Sequence, residues 1–328
     1  MRILQTARWF FPHVGGASIR VYQTARNLVK FGHEVHLLVH NPKSDVILSH
    51  NPPYLVGTSS WIASKFTGVP FVLNVHDVWG ASHYSYLQYR IGLFLEKFCI
   101  KRVKKIIVPC KGLDEIVIRR GEINSTKIVI APTGVDTNLF KPMNISEDID
   151  VLFVGNLAPW SGAEFFVNAA NKLLEKNKKL RFMIIGDGIQ RKYLENIGHE
   201  NISFMGTVPM DRLPEIINRS KICVSSFPKP ESVKRETPIR PISTLEFMAC
   251  GKPVIVSDVY GVRELITEGK TGFLFKPEDT KDLADKIAFL LKNKEIRDNV
   301  GKNAREFALD NTWEKTARIL EKAITNSL

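Results

Sequence analysis

Short apolar runs of strand length alternate along this chain with stretches whose apolar residues recur at helical spacing, and the alternation runs through twice. The first set of runs is "RILQTA", "EVHLLV", "DVILSH", "FVLNV" and "KIIV", with "KIVIAPTGVDTNLF" closing it. The second is "DVLFVGNL", "LRFMIIG", "ISFMG", "ICVSSF", "PVIVSD" and "TGFLF". Between them, residues 17–30 place Val21, Ala25, Leu28 and Val29 on one helical face. Further helices are expected over 55–67, 87–101, 164–177, 190–197, 212–219, 262–268, 280–292, 294–308 and 312–326. Strands alternating with helices of this length predict parallel sheets covered on both faces. Residues 141–150 are polar, with Pro142 and an acidic cluster, and read as a linker. The expected fold class is therefore α/β, with doubly wound Rossmann-like domains over 1–143 and 144–311. Ligands of such sheets bind beyond the carboxyl ends of the strands, so a cleft between the domains is the expected site. One joint resists this picture. Only residues 40–44 separate "VHLLV" from "DVILSH", whereas a parallel crossover needs about a dozen residues. Those strands are either not parallel neighbours or lack an element usual in this architecture, and the N-terminal domain is shortened.

Charge divides the two sets. Of the net +12, residues 1–143 hold 18 Lys and Arg against 8 Asp and Glu, and the remainder 28 against 26. The excess peaks in "EKFCIKRVKKIIV", where Lys101, Arg102, Lys104 and Lys105 interleave with apolar residues. Such a segment suits an anionic membrane surface or a solvated basic helix face. No recognition motif accompanies it, so nucleic acid is not an expected partner. The four cysteines lie in apolar segments without C-x-x-C spacing, as buried thiols rather than a disulfide frame or zinc site. Arg8 interrupts the N-terminal apolar run, and no run approaches the ~18–20 residues that span a bilayer. A cytoplasmic protein, peripheral at the inner face of the membrane if it meets one, is the expectation.

Few loops have the chemistry of a ligand site. Gly15-Gly16 opens the first helix, where free N–H groups suit a phosphate or merely form a turn. Gly186-Asp187-Gly188 follows "FMII" and permits close backbone approach, but it is not G-x-G-x-x-G. Asp148-Ile149-Asp150 spells D-x-D inside the linker and reads as solvated charge; no histidine spacing suggests a metal, and none is expected. His76-Asp77 stands at the carboxyl end of "FVLNV". The densest stretch is "RETPIRPISTLEFMACGKPVIVSD", residues 235–258. There Ser243-x-x-Glu246 has the spacing of a capping box, or else Glu246 takes a ribose diol while the helix start takes phosphate oxygens. Spacing alone does not separate these.

Taken in order, "FFPHVGGAS…ARNLVKFGHEVHLLV", "GVPFVLNVHDVWG", "IVIAPTGVDTNLFKP", "DVLFVGNLAPWSGAEFFVNAANKL", "MIIGDG", "FMGTV" and "STLEFMACGKPVIVSDVYGVRELITEGKTGFLF" resemble the retaining, nucleotide-sugar-dependent glycosyltransferases of the GT-B fold, family 4. The resemblance spans nearly the whole chain. It implies that Glu246 holds the donor ribose, that Gly15 and Gly16 face the donor phosphates, and that His76, with Asp77, lies beside the transferred sugar. Gly186 and Asp187 would line the donor site, backbone near Val208 would meet the base, and Ser243 and Thr244 would seat phosphate. The last helix, residues 312–328 with Trp313, would pack back on the N-terminal domain. The implied donor is a UDP- or GDP-sugar, used as substrate with no cofactor, and the acceptor is a lipid-linked or other glycan hydroxyl.

Three departures stand out. Pro238 occupies the position of the family's first Glu, eight before Glu246, and Asn156 and Ser161 replace the Arg and Lys that neutralise the leaving diphosphate. Arg240 or Arg235 would restore that charge. The expected function is retaining glycosyl transfer without a metal, in surface glycan or glycolipid assembly. A non-catalytic binding or partner subunit, or a sugar-nucleotide epimerase, would keep the same frame.

Overall fold

The computed structural model describes residues 1–6, 16–37, 44–51, 54–78, 86–233, 238 and 240–327. The chain divides into two compact units. Unit 1 comprises Met1–Gly134, Lys234–Arg240 and Trp313–Leu328; unit 2 comprises Val135–Val233 and Pro241–Thr312. Residues 135–143 thus group with unit 2, upstream of the division at residue 143 that the linker composition suggests.

Unit 1 holds one parallel sheet of β1 (Arg2–Thr6), β2 (Glu34–Leu37), β3 (Val46–Asn51), β4 (Phe71–Val75), β5 (Lys105–Val108) and β6 (Ile128–Ile130), in the order β2-β1-β3-β4-β5-β6. The short joint is explained by this order: β2 and β3 are not neighbours, because β1 lies between them. Helices α1 (Gly16–Lys30) and α11 (Trp313–Thr325) cover one face, where Leu28, Leu320, Ala323 and Ile324 close over Ile3, Val46, Leu48, Val72 and Ile107. Helices α2 (Tyr54–Thr67), α3 (Tyr86–Arg102) and α4 (Leu113–Gly121) cover the other, with Cys99, Ile100, Leu113 and Val117 packed on Leu73, Val75 and Ile106. Sequence periodicity had left α4 unread. Its signals are local, a glycine with positive φ at Gly112 followed by Asp114 and Glu115 in the first turn. His33 and Glu321, 2.6 Å apart, tie α11 to the turn after α1.

Unit 2 repeats the plan with β7 (Ile149–Val154), β8 (Phe182–Ile185), β9 (Ile202–Phe204), β10 (Ser220–Ser225), β11 (Val254–Ser257) and β12 (Phe273–Phe275), ordered β12-β11-β10-β7-β8-β9 and parallel throughout. Helices α5 (Ala163–Lys176), α6 (Arg191–Ile197) and α9 (Thr280–Lys292) bury Phe166, Leu194, Ile287 and Leu290 against Val151, Phe153, Phe182 and Ile184. The remaining helices are α7 (Leu213–Asn218), α8 (Ile242–Ala249) and α10 (Lys294–Asp310).

Two local expectations fail for identifiable reasons. The helix expected over 262–268 is a single 3-10 turn, Val262–Glu264. Thr271 Oγ1 accepts the Thr267 N–H and donates to the Leu265 carbonyl, so a side chain takes bonds a longer helix would need. Ser243 is not a helix cap either. α8 begins at Ile242 behind an extended Pro241, with no side-chain cap, so Ser243 already lies inside the first turn and Glu246 beyond it. Proline fixes this start: Arg240, preceding Pro241, is disfavoured in helical conformation.

Because Leu320 is fully buried in the α1–α11 core, Leu320→Ala is expected to cost about 3 kcal/mol in urea unfolding. Lys322→Ala, on the exposed face of the same helix, is expected to cost less than about 0.5 kcal/mol. Equal effects would mean that α11 is not part of this core.

Candidate functional site

In unit 2 the chain passes from β7 outward through β8 to β9, then returns to β10 and continues outward through β11 to β12. The neighbours β7 and β10 therefore send their following loops in opposite directions, leaving a crevice at their carboxyl ends where open α/β sheets bind ligands. Glycines let the backbone close in around it. Gly186, at φ 130, lies against Gly155, and a Cβ there would come within 1.9 Å of the Gly155 carbonyl oxygen. Gly162, at φ 69, lies equally close to the Ser226 carbonyl, and Ser226 Oγ donates to the Gly162 carbonyl at 2.7 Å. Glycine is required at both positions.

The side chains around this crevice are largely committed to holding it. Ser161 Oγ donates to the Ala158 carbonyl at 2.7 Å and closes its own turn. Asp187 accepts the Gly188 N–H at 2.7 Å and pairs with Arg191 at 2.9 Å; these bonds, the backbone one first, hold its carboxyl below the usual range. Asn156 is exposed, Val208 half-buried, and Ser243 half-buried at the start of α8. Thr244 Oγ1 is buried and bonded to Ser225 Oγ at 2.9 Å. The first N–H groups of α8 therefore carry no side-chain cap. Glu246 is only 6% exposed, and burial pushes its carboxyl up to about 7. Among the described residues nothing partners that carboxyl.

Unit 1 has its own reversal between β1 and β3, and here the carboxyl ends carry a buried polar cluster. Gln5 Nε2 donates to the Val21 carbonyl at 3.0 Å and lies 2.8 Å from His50 Nε2. His50 Nδ1 lies 2.8 Å from His76 Nε2. Burial first, and the Arg20 charge second, push His50 down to about 3 and His76 well below its usual value. Both imidazoles are neutral at physiological pH. Arg20 itself is buried and donates to Thr133 Oγ1 and the Ala131 carbonyl at 2.9 and 2.8 Å. Burial first, with the Arg240 charge a smaller contribution, lowers its pKa to about 10, so it stays charged. Asp77 accepts the Val78 N–H at 2.8 Å.

The expected site residues thus fall into two groups. Asn156, Ser161, Gly186, Asp187, Val208, Ser243, Thr244 and Glu246 belong to unit 2; His76, Asp77 and Arg240 belong to unit 1, as does buried Pro238. Gly16 opens α1, while Gly15 and Arg235 lie outside the described residues. The D-x-D pair is structural: Asp148 pairs with Arg219 at 2.6 Å and Asp150 with Lys221 at 2.7 Å. Among the described residues no cluster of His, Cys, Asp or Glu could hold a metal. Gln5, Arg20 and His50 escaped sequence reasoning, although His50, like His76, ends an apolar run with a lone histidine.

Comparison with known proteins meets this arrangement over most of its length. The profile of glycosyl transferases group 1 matches residues 135–307, and that of glycosyltransferase family 4 matches residues 39–139. An uncharacterised glycosyltransferase of Methanocaldococcus jannaschii is 25% identical over 93% of this chain and 93% of its own. A sulfoquinovosyl transferase of Arabidopsis thaliana is 26% identical over 83% of this chain, which spans about half (54%) of the plant protein. Among solved structures, sucrose-phosphate synthase from Thermosynechococcus elongatus superposes with a TM-score of 0.81 at 19% identity, covering 99% of this chain and 98% of that one. Anabaena HepE in complex with UDP-glucose gives 0.80 at 19% identity, covering both chains fully. The chain belongs to the glycosyl transferases group 1, on the GT-B fold.

Proposed function

We propose that this protein transfers a sugar from a nucleoside diphosphate to an acceptor hydroxyl with retention at the anomeric carbon. The observation that carries the reading is Glu246, a buried acid without a partner among the described residues, beside the uncapped N-terminus of α8. Burying such a group without hydrogen bonds is costly. The two hydroxyls of a ribose would supply the missing donors, and the free N–H groups would meet phosphate oxygens. On the family resemblance nucleotide would bind this half and the transferred sugar would lie at His76, a reading supported by HepE, a fold neighbour solved with UDP-glucose. Among the described residues no protein nucleophile is evident, and on this reading positioning and stabilisation of the leaving diphosphate carry the rate.

That diphosphate lacks its usual cations here, since Asn156 and Ser161 are neutral and Ser161 bonds its own turn. Arg240 supplies the charge on this reading, with no metal required. The neutral loop also favours a second reading, a binding subunit without turnover. Purified protein, metal-stripped with EDTA, is expected to hydrolyse or transfer from one of the UDP-, GDP- or ADP-sugars that raises its Tm. Arg240→Ala is expected to lower kcat about 100-fold, the scale of losing one transition-state donor. A Tm shift without turnover in any donor would favour the binding subunit.

Glu246 gives the reading a pH signature. Its folded pKa of about 7 lies above the ordinary 4.5, so the fold favours the protonated form. The associated stability is fully present below 4.5 and lost as pH rises through about 7. Relative to Glu246→Gln, the ligand-free protein is expected to lose up to about 3 kcal/mol across that window. Nucleotide binding is expected to tighten over the same range, as the carboxylate forms, and to lose this pH dependence in Glu246→Gln. A pH-independent affinity in the unaltered protein would remove Glu246 from the ribose.

For the acceptor we propose a lipid-linked glycan at an anionic membrane face. Among the described residues no helix is long and apolar enough to cross a membrane. The four expected membrane cations are engaged within the fold: Lys101 with Glu122, Lys104 with the Ser327 carbonyl, Lys105 with the Thr126 carbonyl, and Arg102 over the Phe98 ring. A stronger feature lies at the start of α3, where Tyr86, Leu87, Ile91 and Phe94 are 78, 68, 50 and 69% exposed around an exposed Arg90. An apolar strip with a basic residue suits the headgroup boundary, at about 0.8 kcal/mol per buried methylene. Leu87→Glu with Phe94→Glu is expected to reduce co-sedimentation with phosphatidylglycerol vesicles at least 10-fold, the scale of losing two such side chains. Unchanged sedimentation would rule out this strip.

A further inference from the structure

Three polar side chains share one face at the carboxyl ends of β1, β3 and β4. His50 pairs in register with Asn74, two residues before His76, and Gln5 pairs with Leu48, two residues before His50. Side chains two apart on a strand point the same way, so Gln5, His50 and His76 form a row beneath α1. The contacts along the row are direct. Gln5 Nε2 meets His50 Nε2, and His50 Nδ1 meets His76 Nε2, each at 2.8 Å. The two rings lie within 17° of a common orientation with centroids 5.1 Å apart, as imidazoles joined edge to edge by one N–H···N bond do.

This geometry fixes where the hydrogens are. An amide nitrogen only donates. Gln5 Nε2 gives one hydrogen to the Val21 carbonyl at 3.0 Å, and turning the amide over would set Oε1 against that carbonyl. Its second hydrogen therefore goes to His50 Nε2, which accepts. A neutral imidazole accepting at one nitrogen carries its hydrogen on the other, so His50 donates through Nδ1 to His76 Nε2. His76 in turn carries its hydrogen on Nδ1. That Nδ1 is buried and without a hydrogen-bond partner among the described residues. Burial first, and the neighbouring Arg20 charge second, disfavour a second proton on either ring. A buried donor left unpaired is rare and costly.

We infer that Gln5 and His50 are positioning residues that lock His76 in its Nδ1–H tautomer, so that it offers a hydrogen-bond donor to an oxygen of the bound sugar. The sugar as recipient rests on the glycosyl-transfer reading; the relay itself does not. Val21, through a main-chain carbonyl of α1, sets the direction of the whole row. Reversing the first link should reverse all of them. Gln5→Glu, protonated so that its one hydrogen still goes to the Val21 carbonyl, has no second hydrogen to give and turns a lone pair to the ring, which calls for a hydrogen on His50 Nε2. His76 then donates backward through Nε2 and presents a bare acceptor at Nδ1.

Long-range ¹H–¹⁵N spectra of histidine-labelled, ligand-free protein identify the protonated nitrogen of each ring directly. The expected result is Nδ1–H at both His50 and His76; Nε2–H at either ring in the unaltered protein overturns the relay. In Gln5→Glu both rings are expected as Nε2–H, with kcat for sugar transfer about 10- to 100-fold lower and affinity for free nucleoside diphosphate unchanged. Reversed tautomers with undiminished kcat would overturn the role in transfer. Because the spectra need no substrate, they decide the relay separately. Absence of transfer by the unaltered protein would instead count against the glycosyl-transfer reading.

Discussion

Every strand in both sheets runs parallel to its neighbours, and this constraint decides where polar chemistry can sit. Parallel strands are covered by helices on both faces, so their interiors admit almost nothing polar. β4, β7 and β11 are buried along nearly their whole length. Polar side chains are left to the strand ends, and at the carboxyl ends the loops diverge wherever the chain reverses its direction across the sheet. Unit 1 reverses between β1 and β3, unit 2 between β7 and β10. The Gln5–His50–His76 row and the Ser225–Thr244 pair lie beside those two reversals.

The two reversals are held by different means. In unit 2 the main chain holds itself: Gly155, Gly162 and Gly186 bring backbone against backbone, and the hydroxyls of Ser161, Ser226 and Thr244 are spent bracing loops. What remains open to a ligand is mainly N–H groups and one carboxyl. In unit 1 side chains do the bracing, with Arg20 spanning from α1 to the strand-end segment at Ala131 and Thr133. A buried guanidinium and two buried imidazoles are costly to desolvate, which is why both rings stay neutral while Arg20 alone keeps its charge.

Much of this frame was legible in the residues. Apolar runs such as "FVLNV" and "DVLFV" are buried on both faces and read as strands without context, and α5 and α9 show clear helical periodicity. The strand order was not legible, because nothing in residues 40–44 tells which neighbour β3 will choose. The capping box misled for a physical reason. Ser-x-x-Glu marks a helix start only if the backbone places Ser outside the helix, and Pro241 places it inside. The role expected of Glu246 rests on family resemblance rather than on spacing. Its burial and raised pKa depend on packing between β10, α8 and α10 that sequence does not display. The histidine row was missed because its three members are separated by 45 and 26 residues and meet only through sheet register.

The loop at Asn156 and Ser161 in unit 2 carries no charge at either residue. Three cations of this unit are paired with carboxylates: Arg191 holds Asp187 and Glu195, Lys229 holds Glu278, and Arg263 holds Asp258. Bonds from neutral donors are roughly half as strong as charge-assisted ones. The N-terminal half carries most of the net charge, and its Arg20 is buried without a carboxylate partner among the described residues, with Arg240 near enough to lower its pKa. With Asn156 and Ser161 neutral, the resemblance's two usual basic positions carry no charge, and among the described residues of unit 1 Arg20 is a buried cation held by neutral acceptors.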